Sequence, residues 1–118
     1  MQYRTYKETM LPQMVRLWKE EAVRIRYKAY DSPEEWKAEL LDKPDFDPEG
    51  CILAFTDSGS LAGFAAAISQ KEFLPGQNRD NTPGYIFLLV VKEEYEGRGV
   101  GSSLLEKAEA FLKDQGKH

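Results

Sequence analysis

From Tyr85 onward the chain reads Tyr-Ile-Phe-Leu-Leu-Val-Val, passes through a polar turn, and then places glycine at every second position: Gly97, Gly99 and Gly101. Apolar residues follow at helical spacing, at Val100, Leu104, Leu105, Ala108, Phe111 and Leu112. An apolar run of strand length, then glycines, then an amphipathic pattern predicts strand, loop and helix. A glycine loop that opens a helix is built to hold an anion. The first-turn N–H groups have no partner within the helix, and the helix dipole adds roughly +0.5 charge at that end. A phosphorylated ligand is therefore expected at this loop.

The rest of the chain supplies layers for that unit. Tyr3 to Lys7 alternates and suits a short strand. Met14, Val15, Trp18, Ala22 and Ile25 trace one helical stripe, predicting a first helix over residues 11–28 with Pro12 in its first turn. Arg16, Lys19, Glu20, Arg24 and Lys28 fall on its solvated side. Ser32, Pro33 and Glu35 form a helix start of the capping-box kind, and Trp36, Leu40 and Leu41 give the second helix its apolar face before Pro44. Residues 42–50, rich in proline and acid, read as a loop. Residues 51–56 and 61–70 read as two arms of a hairpin about Asp57-Ser58-Gly59-Ser60. In the second arm Gly63, Ala65 and Ala67 share one face, where a helix or ligand approaches closely. Residues 73–84 read as a polar loop, either an access route to the site or a plain hairpin connection. The run over 85–91, apolar on both faces, implies a central strand. The last helix runs from residue 99 or 100 to about 114. The predicted class is α/β (α+β): a mixed, mostly antiparallel sheet flanked by helices, in the order β-α-α-β-β-β-α.

Composition narrows the function. The 118 residues, 42% hydrophobic and 31% charged, suit one domain over 1–118 with a real core. The net charge of −4 and the absence of a basic stripe argue against nucleic acid. No apolar run approaches the roughly 18 residues of a membrane span, and the N-terminus lacks a signal core. Cys51 is the only cysteine, which excludes an internal disulfide and fits a reducing cytoplasm; it reads as a small buried hydrophobe. The sole histidine is His118, which argues against a Ser-His-Asp triad or a histidine metal site. Asp45, Asp47 and Glu49 lack the later ligands of a calcium loop, so no metal is expected.

Glycine spacing separates the phosphate-loop types. A dinucleotide loop needs G-x-G-x-x-G, an acidic residue about twenty positions later and a following parallel strand. Here the spacing is G-x-G-x-G, and the third glycine's place is taken by Ser102. A Walker loop needs Gly-Lys followed by Ser or Thr, which does not occur. What remains is Leu89-Val90-Val91 followed by Glu96-Gly97-Arg98-Gly99-Val100-Gly101 and a helix with paired apolar residues. This resembles the acyl-CoA signature of the GNAT superfamily of N-acetyltransferases: a strand ending Leu-x-Val, a turn, [Arg/Gln]-x-x-Gly-x-[Gly/Ala], then a helix. The element order upstream is similar as well.

The resemblance implies a GNAT-like fold and acetyl-CoA as co-substrate, with no metal. It implies that the N–H groups of Gly97, Arg98, Gly99, Val100, Gly101 and Ser102 cradle the CoA pyrophosphate, with Ser102 or Ser103 adding a hydroxyl. It implies that Leu89, Val90 and Val91 pair with the pantetheine arm, and that an N–H near Val90 or Val91 stabilises the oxyanion. The acceptor is then a primary amine on a small molecule or peptide. Two departures stand out. Glu96 occupies the position of the family's Arg or Gln, and a carboxylate beside a pyrophosphate is repulsive by about 1 kcal/mol at 4 Å in water. Either Glu96 turns away with Arg98 compensating, or CoA binding is weakened. Second, the family continues past the helix with further strands, so the chain reads as an incomplete domain with its distal strands missing. A second copy or a C-terminal region is expected to cover the open strand edge. No catalytic acid or base is assigned: Tyr85 reads as a sheet aromatic, and Glu72 is weaker still. The alternatives are a non-catalytic GNAT-like structural or regulatory half, and an unrelated α/β binding domain.

Overall fold

The computed structural model describes residues 1–22, 24, 30, 32–42, 46–68 and 84–114. Four strands form one antiparallel sheet in sequence order: β1 (Gln2–Thr5), β2 (Phe46–Phe55), β3 (Leu61–Ile68) and β4 (Tyr85–Val91). Helices α1 (Leu11–Glu21) and α2 (Pro33–Leu40) lie in sequence between β1 and β2, and α3 (Val100–Asp114) follows β4.

The start signals of the helices work as their residues predict. Pro12 sits in the first turn of α1, where its missing N–H would have had no helical partner. At α2 the Ser32 Oγ accepts the Glu35 N–H at 3.1 Å, with Pro33 at the first helical position. The recorded helix α1 ends at Glu21, capped by Ala22 N–H donating to the Trp18 carbonyl at 2.7 Å. Of the span expected to be helical to residue 28, residues 23 and 25–29 lie outside those described.

Side-chain alternation along the strands splits the core into two layers. Toward α1 and α2, Leu53, Phe64, Leu88 and Val90 meet Met14, Trp18 and Trp36. The rings of Trp18 and Trp36 pack edge-on at 5.7 Å, and those of Trp36 and Phe64 at 6.2 Å. Toward α3, Ile52, Ala54, Ala65 and Ala67 meet Val100, Leu104, Ala108 and Phe111. The small face of β3 thus receives a helix. A Cβ on Gly63 would lie 2.7 Å from the Val90 carbonyl oxygen and 3.3 Å from Leu104 Cδ1. One on Gly50 would lie 2.7 Å from Phe111 Cε2. The sheet reaches α3 at its closest where side chains are missing.

Two expectations about the sheet are corrected, along with the bounds of its first strand. Residues 46–50, read as loop, belong to β2: Phe46 pairs with Ile68, and the Tyr6 N–H is shared between the carbonyls of Pro48 (3.3 Å) and Cys51 (2.9 Å). The register shifts between Phe46 and Cys51, and Pro48 and Glu49 are exposed there. An irregular stretch of ladder accommodates proline and acids that a regular interior strand would reject. The first strand likewise sits slightly earlier than expected, at Gln2–Thr5. Second, β4 is the edge of the described sheet, not a central strand. Its apolar character on both faces reflects two covering helical layers. Burial across a sheet's faces does not count the strands beside it. The fully buried strand is β3. The loop expected over 73–84 lies, up to residue 83, outside the described residues, as do residues 69 and 70 of the second hairpin arm.

Candidate functional site

β4 ends at Val91, and a 3₁₀ turn over Glu93–Tyr95 leads into the glycine loop and α3. Gly97 and Gly99 have φ of 77° and 83°. This left-handed backbone costs an L-residue roughly 1–2 kcal/mol. A Cβ at either position would meet nothing within 4 Å, so conformation, not crowding by the protein, asks for glycine there. Gly101 differs. Its Cβ would rest in ordinary contact with Val91 Cγ2 at 3.6 Å, and its φ is not left-handed. The fold itself has no use for a glycine at 101.

Ser103 N–H donates to the Gly99 carbonyl at 3.0 Å, the bond that closes the first turn of α3. The N–H groups before it have no acceptor within the helix. Those of Val100, Gly101 and Ser102 open the helix directly after the exposed loop from Glu96 to Gly99, which the buried Val100 anchors.

Among the described residues no strand pairs with the outer edge of β4, which has a defined backbone pattern. Lys92 N–H donates to the Ala62 carbonyl at 2.8 Å, and the register continues as Gly63 opposite Val91, Phe64 opposite Val90 and Ala65 opposite Leu89. In an antiparallel ladder, hydrogen-bonded and non-bonded pairs alternate. The main-chain groups of Val90 therefore point to Phe64, whereas those of Leu89 and Val91 point away from β3.

Arg24, placed on the solvated side of the first helix by its sequence spacing, ties this region together. Its Nη2 donates to the Val91 carbonyl at 3.0 Å, its Nη1 to Glu96 Oε1 at 2.7 Å and its Nε to Glu21 Oε2 at 3.2 Å. The hydrogen bond to Glu96, followed by that to Glu21, holds the guanidinium pKa above its ordinary value. Glu21 is 6% exposed and also accepts the Glu93 N–H through Oε1. Glu96 is thus turned to a cation, but the cation is Arg24. Arg98 instead lies over the Tyr95 ring, 5.9 Å from its centroid. Glu21 left one legible trace: it follows Trp18 by three residues and so falls on the apolar stripe. Arg24 follows it by three again.

The chain therefore gathers Leu89, Val91 and Glu96 to Ser103 at one end of the sheet, with Val90 buried between the two edge-facing positions. A shallow, open depression of about 430 Å³ beside them is lined by Glu20, Glu21, Lys92, Glu93 and Glu94. Tyr85 is exposed at the opposite end of β4, six residues or about 20 Å from Val91. Glu72 lies outside the described residues. Cys51 is fully buried, and desolvation pushes its thiol pKa up to about 12, so it is a core side chain without nucleophilic character. Asp47 Oδ1 accepts the Glu49 N–H at 3.0 Å. Among the described residues no group of three or more His, Cys, Asp or Glu is arranged to hold a metal, and no helix is long and apolar enough to cross a membrane.

Comparison with known proteins agrees with this geometry. The chain is 34% identical over 73 residues to the mycothiol acetyltransferase of Paenarthrobacter aurescens (strain TC1), a match covering 62% of this chain and 21% of that protein. It is 32% identical over 73 residues to the mycothiol acetyltransferase of Arthrobacter sp. (strain FB24), with the same coverage. The aligned part is thus about a fifth of the length of these curated relatives. Among solved structures, an aminoglycoside 6′-N-acetyltransferase complexed with coenzyme A superposes with a TM-score of 0.69 at 21% identity, over 99% of this chain and 58% of that one. A GNAT-family acetyltransferase from Staphylococcus aureus Mu50 superposes with a TM-score of 0.68 at 16% identity, over 97% and 67%. These superpositions show a shared fold. Residues 11–118 match the sequence model of the acetyltransferase (GNAT) family. With its antiparallel sheet, its glycine-opened α3 and this match over most of its length, the chain belongs to the acetyltransferase (GNAT) family.

Proposed function

We propose that this chain carries the acyl-CoA site of an N-acetyltransferase that transfers the acetyl group of acetyl-CoA to a primary amine. The observation that supports the reading is the combination of two left-handed glycines just before α3 with the edge of β4, which is unpaired among the described residues. The N–H groups of Gly97 to Ser102 hold the pyrophosphate, each hydrogen bond to a charged partner contributing roughly 1.5–3 kcal/mol, and the hydroxyls of Ser102 and Ser103 lie on the same turn. Gly101 supports this role: it weakens the start of a helix without a packing reason, and a bare backbone there leaves room for a phosphate. The outward main-chain groups of Leu89 and the Val91 N–H pair with an extended arm such as pantetheine, which adds to the sheet as a further strand would, while the Val91 carbonyl is held by Arg24.

When bound, acetyl-CoA would supply a thioester whose carbonyl carbon bonds to the amine nitrogen as the C–S bond breaks, with CoA leaving as thiolate and the amine proton passing to that thiolate directly or through water. The chain's own part is to bind, align and polarise. Of the Val90 and Val91 N–H groups, that of Val91 points away from β3, and it stabilises negative charge developing on the thioester oxygen. The acceptor class is a small-molecule amine, as the names of the mycothiol and aminoglycoside acetyltransferases suggest for those proteins. The chain acts in the cytoplasm, and the β4 edge is covered by a second copy or by further strands of the fold.

Titration calorimetry with CoA and with acetyl-CoA tests the reading. Saturable binding is expected, and none at millimolar ligand would overturn it. A non-catalytic module is the second reading, favoured by Glu96 at the motif's first position. It predicts CoA binding without release of free thiol from acetyl-CoA and an amine.

A further inference from the structure

We propose that Arg24 is a positioning residue for the glycine loop: by pairing with Glu96 it cancels the carboxylate at the mouth of the phosphate cradle, and so sets the affinity for a ligand bearing a pyrophosphate. The inference rests on the acyl-CoA reading above and assigns a role to a residue outside the motif. Three observations support it. Glu96 Oε1 is engaged by Arg24 Nη1 at 2.7 Å, so the charge that opposes a phosphate is answered by a cation from the first helical layer, 72 residues away. The same guanidinium donates to the Val91 carbonyl at 3.0 Å, fixing the end of β4 relative to the loop. Its Nε is held by Glu21, which is buried and also accepts the Glu93 N–H, so the guanidinium is oriented from behind.

This arrangement is a relocated charge. The loop has a carboxylate where the resembled signature has Arg or Gln, and the compensating cation arrives from beyond α1. Arg98 is engaged over Tyr95 and does not take that role. Glu96 and Arg24 are half exposed and 29% exposed respectively, so their field acts on a neighbouring anion across partly screened space. Removing Arg24 leaves the Glu96 charge uncompensated beside the cradle, whereas removing Glu96 leaves Arg24 paired with Glu21 at 3.2 Å and within 3.9 Å of Glu93.

The test is a double-mutant cycle in CoA affinity by titration calorimetry, with pantetheine as a probe that lacks the phosphates. Arg24→Ala is expected to weaken CoA about tenfold and Glu96→Gln to tighten it about threefold, whereas Arg24→Ala made in the Glu96→Gln background is expected to change the affinity less than about twofold, leaving the double variant tighter than the unchanged chain. Pantetheine affinity is expected to move less than about twofold throughout, because the effect acts on the phosphates. Additive effects, or an equal loss for pantetheine, would overturn the proposal, since either would mean that Arg24 acts on the strand and not through Glu96. Should Arg24→Ala not fold, Glu96→Gln alone decides: an unchanged CoA affinity overturns the inference. Failure of the unchanged chain to bind CoA at all removes the acyl-CoA reading itself, an outcome distinct from a cycle that fails.

Discussion

The two faces of the sheet are packed on opposite plans. Toward α1 and α2 the contact is made by large rings, with Trp36, Phe64 and Met14 fully buried. Toward α3 the sheet contributes mainly Ala54, Ala65, Ala67 and the bare backbone at Gly63 and Gly50. A ring-filled layer maximises apolar burial and keeps helices at a distance. A thin layer gives up some of that burial and brings a helix close to the strands. The thin layer sits under the helix that opens with the glycine loop. One face of this sheet stabilises, and the other sets the position of an N-terminus.

Substitutions that unbalance the faces sharpen the contrast. Trp36→Ala is expected to cost about 3–5 kcal/mol in urea unfolding, with the CoA affinity of the folded protein unchanged; an affinity loss would erase the division of labour. Gly63→Ala should cost about 1–3 kcal/mol, because the new methyl meets a backbone carbonyl that cannot step aside, and it should also weaken CoA. Gly99→Ala meets no atoms but strains a left-handed residue, costing about 1–2 kcal/mol, and is expected to lower CoA affinity. Gly101→Ala should do the reverse for folding, stabilising α3 by up to about 1 kcal/mol while weakening CoA. Loss of both stability and affinity would mean that this glycine serves the fold. The smallest effect is at Cys51. Its raised thiol pKa means that its contribution to stability is present below the ordinary thiol range, about pH 8.5, and is lost as pH rises toward about 12. Stability should therefore fall in alkali, less so in Cys51→Ala, and a thiol reagent at pH 8 should label the chain only after unfolding.

Local signals in the chain were legible because they act locally. Ser32 and Pro33 cap α2 through atoms three residues apart, and the alternation of Gly63, Ala65 and Ala67 marked the face that receives α3. The spacing of Gly97, Gly99 and Gly101 separated one phosphate loop from two others, and the first two have the left-handed backbone for which only glycine is unstrained. What escaped depends on distant partners. Phe46 to Gly50 looked like loop because Pro48 and its acids are poor strand formers; the strand exists because Phe46 finds Ile68 and Tyr6 finds Pro48 and Cys51. The edge position of β4 is set by neighbours that its own composition does not encode. Arg24 fitted a polar helical face perfectly well, and only the fold brings it to Glu96 and Val91.

The seat of Phe111 over Gly50 has a mechanical meaning. Phe111 lies eleven residues along α3 from Val100, about 16 Å by helical rise, and Leu104 rests against Gly63 between them. Two notches spaced along a stiff rod leave it little freedom to slide, so the loop at its tip inherits its coordinates from the far end. A methyl added at residue 50 would push the rod lengthwise or tilt it. Cofactor affinity in this chain is thereby open to adjustment from a site that no ligand touches, with the helix as the ruler between them.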